Sequence, residues 1–180
     1  GKSATAILAR APMRVTPIRA LGAVGLLTSW LVLAVWPAAA ADVRLDIVPI
    51  PAHVSAGDSA PVWLRSGGAI AVPTGDGPAR ATARWLASLL SRSRGLRLTT
   101  VTGATKAGSL IVFERRPGSR SGEAYAIDIG RGRAVISASS DAGLLYGAVT
   151  LWQMATTDAA RGPARLPNVH IQDQPRFGWR

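Results

Sequence analysis

Two histidines, His53 and His170, are the first side chains to weigh for metal or proton-transfer chemistry. Neither stands in an HExxH-like spacing, in which one helical turn brings two imidazoles together around an ion, so both read as strand or surface residues. Ser139, Ser140 and Asp141 set hydroxyls beside a carboxylate. No GxSxG elbow surrounds them, and a helix cap, whose side-chain oxygens accept from first-turn N–H groups, is a sufficient reason for all three. Gly130-Arg131-Gly132 lacks the following helix that a phosphate cradle needs and reads as a turn. Hydrolysis by paired carboxylates needs two acids facing each other across a bond. Asp42 and Asp46 lie in an exposed N-terminal region, and Glu114 and Glu123 flank a polar loop, so neither pair reads as catalytic. With no cysteine, disulfides, thiolate metal sites, a thiol nucleophile and a lipid-bearing cysteine are all excluded.

The elements that must position these residues follow from periodicity. Val43 to Ile50 alternates, Val43, Leu45 and Ile47 against Arg44 and Asp46, and reads as a strand that Pro49 and Pro51 end or hold at a sheet edge. Pro61–Leu64 and Ala69–Val72 are short strand candidates on either side of Gly67-Gly68. Asp76-Gly77-Pro78 signals a helix start, and the helix is expected from about Pro78 to Ser93, with Gly95 as its stop. Its expected inner face holds Ala81, Trp85, Leu89 and Arg92, widened by Leu86 and Leu90. Leu96–Val101 and Ser109–Glu114 read as strands. Glu123–Ile129 places Tyr125, Ile127 and Ile129 on one side and returns through Gly130-Arg131-Gly132 as Arg133–Ser137, a hairpin. In the second helix Leu144, Ala148, Leu151 and Ala155 line up, with Leu145, Val149 and Trp152 beside them. Gly147 is costly there unless something packs closely against it. Pro163 and Pro167 mark a surface loop, and Val169–Ile171 starts a strand. The order predicts an α+β fold, an antiparallel sheet with two helices on one face.

Residues 13–41 have the three parts of an export signal. Met13-Arg14 through Arg19 is positive, Ala20–Trp36 is apolar, and Pro37–Ala41 offers the small residues a signal peptidase accepts. Residues 1–12 are expected to precede a true start at Met13. Cleavage near Ala39–Ala41 is expected over an uncleaved anchor, because a 17-residue apolar run is at the short limit for spanning a bilayer. The mature protein is then periplasmic or secreted, with no stable membrane anchor. The net charge of +11 raises the question of nucleic acid. Four of the basic residues precede residue 42, the rest are scattered, and no basic stripe interleaves with aromatics, so no nucleic-acid partner is expected.

Two segments carry a resemblance. Gly122–Ile129, then Ala134–Ala138, then Asp141-Ala142-Gly143-Leu144-Leu145-Tyr146-Gly147-Ala148-Val149-Thr150-Leu151-Trp152-Gln153-Met154 resembles the non-catalytic domain that precedes the barrel in glycoside hydrolase family 20 β-N-acetylhexosaminidases. Ile47-Val48-Pro49-Ile50-Pro51 resembles that family's first strand. Ile171-Gln172-Asp173-Gln174-Pro175-Arg176-Phe177-Gly178-Trp179-Arg180 resembles its entry into the first barrel strand.

The resemblance implies residues 1–41 as signal region, 42–167 as the non-catalytic α+β domain, and 168–180 as the linker and first strand of a (β/α)8 barrel. It implies a parent enzyme that hydrolyses terminal N-acetylhexosamine from glycans or chito-oligosaccharides by substrate-assisted, retaining catalysis. An Asp-Glu pair, placed deep in the barrel and outside this sequence, would perform it. This chain then holds no catalytic residue and needs no cofactor or metal. Arg180 matches the family arginine that grips hydroxyls of the terminal sugar, and Arg176 matches a structural contact at the domain junction. The domain is expected to pack against the barrel, and residues 42–180 alone to fold poorly with that surface bare. The alternative reading is a secreted carbohydrate- or protein-binding module without catalysis.

Overall fold

A computed structural model describes residues 45–103, 108–117 and 122–174. The chain divides into residues 1–37 and 38–180, and every described residue lies in the second unit. The elements run β1(His53–Ala56), β2(Val62–Leu64), β3(Ala69–Val72), α1(Gly77–Arg94), β4(Thr99–Thr102), β5(Ser109–Arg115), β6(Tyr125–Gly130), β7(Arg133–Ala138), α2(Asp141–Thr156), β8(Ala164–Leu166) and β9(Val169–Asp173). The predicted α+β class holds. Seven strands form one sheet in the order β1-β9-β6-β7-β5-β3-β4, and β2 and β8 form a separate ribbon. Among the described residues no helix is long and apolar enough to cross a membrane. The expected signal region lies outside the described residues.

The sheet is mixed rather than antiparallel throughout. The β1·β9, β9·β6 and β6·β7 pairs are antiparallel, whereas β7·β5, β5·β3 and β3·β4 are parallel. Helix α1 is the reason at one edge: an 18-residue crossover lying on the sheet returns the chain to the starting end, so β4 runs parallel to β3. In the middle, the β6–β7 hairpin folds β7 back into the slot between β6 and β5, alongside β5 in the same direction. Its two-residue loop, Arg131 and Gly132, has positive φ at both positions, the backbone a tight twisted hairpin needs.

Alternation sorts the strand residues cleanly. Ile70, Ile111, Phe113, Tyr125, Ile127, Ile136 and Ile171 point into the core beneath the helices and are buried. Each such side chain stabilises the fold by roughly 1.5–3 kcal/mol. Both helices pack on this side and on one another. Asp76 caps α1 by accepting from the Ala79 N–H at 2.9 Å, and Gly95 ends it in the left-handed conformation. The buried stripe of α1 is Ala79, Ala83, Leu86, Leu90 and Arg94; the expected Leu86 and Leu90 are in it, whereas Ala81, Trp85, Leu89 and Arg92 are not. The two stripes share the same period, and α2 and the sheet decide which one faces inward. On α2 the expected Leu144, Ala148, Leu151 and Ala155 are all buried. Gly147 does provide close packing: a Cβ there would meet Ile136 Cγ2 at 2.5 Å and the Tyr125 ring at 3.3 Å.

Two further differences are physical. Residues 45–50 form no strand; Ile47 is buried as a plug, and Gln153 holds Val48 by accepting from its N–H at 3.2 Å and donating to its carbonyl at 2.9 Å. Side-chain hydrogen bonds replace a ladder where two prolines remove donors. The expected surface loop at Pro163–Pro167 contains β8, whose Ala164 and Leu166 are buried against β2. Strand β9, just after the expected boundary at residue 167, is hydrogen-bonded to both β1 and β6.

Candidate functional site

The sheet face opposite the helices is open and polar. Register places His53, Gln172, Ala126, Ser137 and Glu114 on one row across β1, β9, β6, β7 and β5, and Ser55, His170, Asp128 and Val135 on the next. Because successive side chains alternate, both rows face away from α1 and α2. Two concavities lie along these rows. One, of about 390 Å³, is lined by His53, Arg116, Ala126, Ser137, Ser139 and Gln172 among others. The other, of about 550 Å³, is lined by Asp58, Glu114, Asp128, Arg131, Arg133 and His170 among others. The Asp128 carboxylate meets His170 Nδ1, and His170 Nε2 lies 2.8 Å from Gln172 Nε2, so three side chains form one chain of polar contacts. Asn168 fixes the rim, accepting from the Ser59 N–H at 3.1 Å and donating to Ser59 Oγ at 2.6 Å. Ser137 Oγ is buried in the floor without a hydrogen-bond partner among the described residues.

A second network sits where β9 ends. Tyr125 Oη lies 2.7 Å from Thr150 Oγ1 on α2 and donates to Asp173 Oδ2 at 3.2 Å; the other Asp173 oxygen accepts from the Ala52 N–H at 3.0 Å. Burial pushes the Tyr125 phenol well above its usual range, with the Asp173 charge adding to the effect. One carboxylate thus ties the entry to β1, strand β6, helix α2 and the last residue of β9. At the other end of the helices Arg115 donates from Nε to Asp76 at 2.6 Å and also pairs with Asp141, joining the N-termini of α1 and α2. Hydrogen bonding from Arg115 holds the Asp76 carboxyl below its usual range, and Asp76 in turn raises the Arg115 guanidinium.

The sequence-derived candidates separate. His53 and His170 lie in strands, as expected, and among the described residues no group of three His, Cys, Asp or Glu side chains is placed to hold a metal. Ser140 caps α2 by accepting from the Gly143 N–H at 2.9 Å, which accounts for the Ser139–Asp141 segment. Glu114 lines the open face, while Glu123 lies 3.5 Å from the Tyr146 hydroxyl on α2. They are not a facing pair. Asp42, Arg176 and Arg180 lie outside the described residues. The Asp128–His170–Gln172 chain was not anticipated, because its signal is the pairing of β6 with β9, set by contacts some forty residues apart.

A seven-stranded mixed sheet carries two helices on one side and a polar face on the other, an α+β domain. Residues 44–174 match the profile of glycosyl hydrolase family 20, domain 2, and the chain belongs to that family. Among curated protein sequences none matches. Among solved structures, the chain is similar to the Streptomyces plicatus N-acetyl-β-hexosaminidase in complex with Thio-NAglucal, at 32% identity and a TM-score of 0.65 over 74% of this chain and 27% of that one. The family 20 β-N-acetylhexosaminidase of Streptomyces coelicolor A3(2) matches at 32% identity and a TM-score of 0.63, over 72% and 26%. The exo-β-N-acetylglucosaminidase of Vibrio harveyi in complex with N-acetylglucosamine shares the fold, at 24% identity and a TM-score of 0.62, over 74% and 20%. The chain therefore spans about a quarter of the length of the relatives it matches.

Proposed function

We propose that this chain is the pre-barrel portion of an exported β-N-acetylhexosaminidase that removes terminal N-acetylhexosamine residues from glycans or chito-oligosaccharides. The observation that carries this is the 32% identity to a hexosaminidase over three quarters of the chain. The reaction proposed is substrate-assisted: the acetamido oxygen of the sugar attacks its anomeric carbon while a carboxylic acid protonates the departing oxygen, which otherwise leaves poorly. Those acid groups belong to the barrel, and the chain by itself is proposed to be inactive. Its contribution is a fixed base for the barrel, with Pro175–Arg180 as the entry to the first barrel strand and Arg180 holding sugar hydroxyls through its fork of N–H donors.

The outer surface of the helix layer supports the packing role. Trp85 on α1 and Leu145 on α2 are 39% exposed, and Gln153 holds the neighbouring segment so that Val48 and Ile50 stand 79% and 73% exposed. Large apolar groups held outward on adjoining elements suit burial against a further domain. The test is release of an aryl leaving group from an aryl N-acetyl-β-glucosaminide by the full-length gene product, by its Arg180→Ala variant and by residues 42–180 alone. Activity in the first, a strongly raised KM in the second and none in the third is expected; an inactive full-length product refutes the proposal.

A further inference from the structure

We propose that the open sheet face is a saccharide-binding site that takes a neutral N-acetylglucosamine oligomer along β6 and β9. The choice of sugar rests on the function proposed above; the site itself rests on the geometry of the face. The two concavities adjoin along the same strands, one reaching to Ala126 and Gln172 and the other to Asp128 and His170. From Tyr125 to Gly130 β6 spans about 17 Å at about 3.3 Å per residue, long enough for about three linked sugar units.

The chemistry of the lining narrows the ligand. Carboxylates (Asp58, Glu114, Asp128) and cations (Arg131, Arg133) are interleaved along the groove, so no single sign of charge dominates and a strongly ionic ligand has no advantage. Planar donors and acceptors suit hydroxyl and acetamido groups, each of which both donates and accepts. β6 and β9 are both interior strands, paired on either side, so their backbones cannot take up an added peptide strand. Recognition has to pass through side chains. The Asp128–His170–Gln172 chain holds three of them in fixed relation, which lowers the ordering cost on binding. Ala126 leaves the floor low, and Ser137 beside it is 2% exposed, its Oγ without a partner among the described residues.

The experiment titrates N-acetylglucosamine tetrasaccharide into the full-length protein with its catalytic subsite filled by excess monosaccharide. Two variants are compared with the parent. Ala126→Trp fills the groove without removing a polar group, and His170→Ala breaks the polar chain without adding bulk. Each is expected to weaken tetrasaccharide binding about tenfold or more, with hydrolysis of an aryl N-acetyl-β-glucosaminide within twofold of the parent, which also certifies folding. Undiminished binding by both variants, or no binding by the parent once the catalytic subsite is filled, overturns the proposal. A parent that binds tetrasaccharide but cleaves no aryl glycoside would sink the function proposed above and leave this site standing.

Discussion

Adding one methyl group at Gly147 tests the central packing of this fold. Glycine in mid-helix costs roughly 0.5–1 kcal/mol relative to alanine, so on helix propensity alone Gly147→Ala stabilises the protein by about that much. Tertiary packing opposes it. The new Cβ would stand 2.5 Å from Ile136 Cγ2, about an ångström inside ordinary contact, and 3.3 Å from the Tyr125 ring. Ile136 is fully buried, on a central strand, with a β-branched side chain that has little rotamer freedom to withdraw. Forcing a methyl group into a filled core costs typically 1–3 kcal/mol. The net expectation is a loss of about 1–2 kcal/mol, read as a fall of about 5 °C in Tm for a domain of this size. Urea unfolding followed by tryptophan fluorescence measures it, with Trp152 on the same helix as a reporter. Ile136→Leu moves the branch from Cβ to Cγ at nearly constant volume and removes the clashing methyl. In that background Gly147→Ala should be neutral or stabilising, a coupling that only neighbouring groups show. A Gly147→Ala protein at least as stable as its parent would refute the reasoning, since helix propensity would then outweigh the contact.

Two other outcomes follow from buried polar groups. Arg94 is 1% exposed, donates to the carbonyls of Gly162 at 3.2 Å and Pro163 at 2.6 Å, and pairs with Asp158. Arg94→Met should cost about 2–4 kcal/mol by stranding those carbonyls, and proteolysis within residues 157–163 should accelerate, whereas a loss below 0.5 kcal/mol would show that water satisfies them. The Tyr125 phenol has a folded pKa above its unfolded value, so its share of stability is complete below about pH 10 and is lost as pH rises further. Tyr125→Phe should therefore flatten the alkaline limb of the stability curve above about pH 10, and an unchanged limb would rule out the phenol as its source.

What could be read in advance divides along physical lines. The caps at Asp76 and Ser140 and the stop at Gly95 are decided within four residues, so their residue types identify them. The hairpin at Arg131-Gly132 is equally local. On α1 the expected Leu86 and Leu90 are buried, but apolar residues recur on two overlapping stripes and Trp85, large as it is, lies outward. Strand β8 was hidden in a proline-flanked stretch, because three residues carry too little periodicity to announce a strand whose partner is a hundred or more residues away. Of the site, the motifs at Gly122–Met154 and Ile171–Arg180 carried the family, but not the open face.

The sequence by itself determined the family, both helices, the local caps and turns, and the absence of cysteine chemistry, since each depends on residue types or on neighbours along the chain. Only the tertiary structure decided that half of the sheet is parallel, that Arg94 rather than Arg92 is buried, and that Asp128, His170 and Gln172 meet on a face opposite the helices. Strand order and register set those outcomes. They arise from the joint burial of many side chains far apart in the chain, and no local pattern encodes which strand will lie beside which.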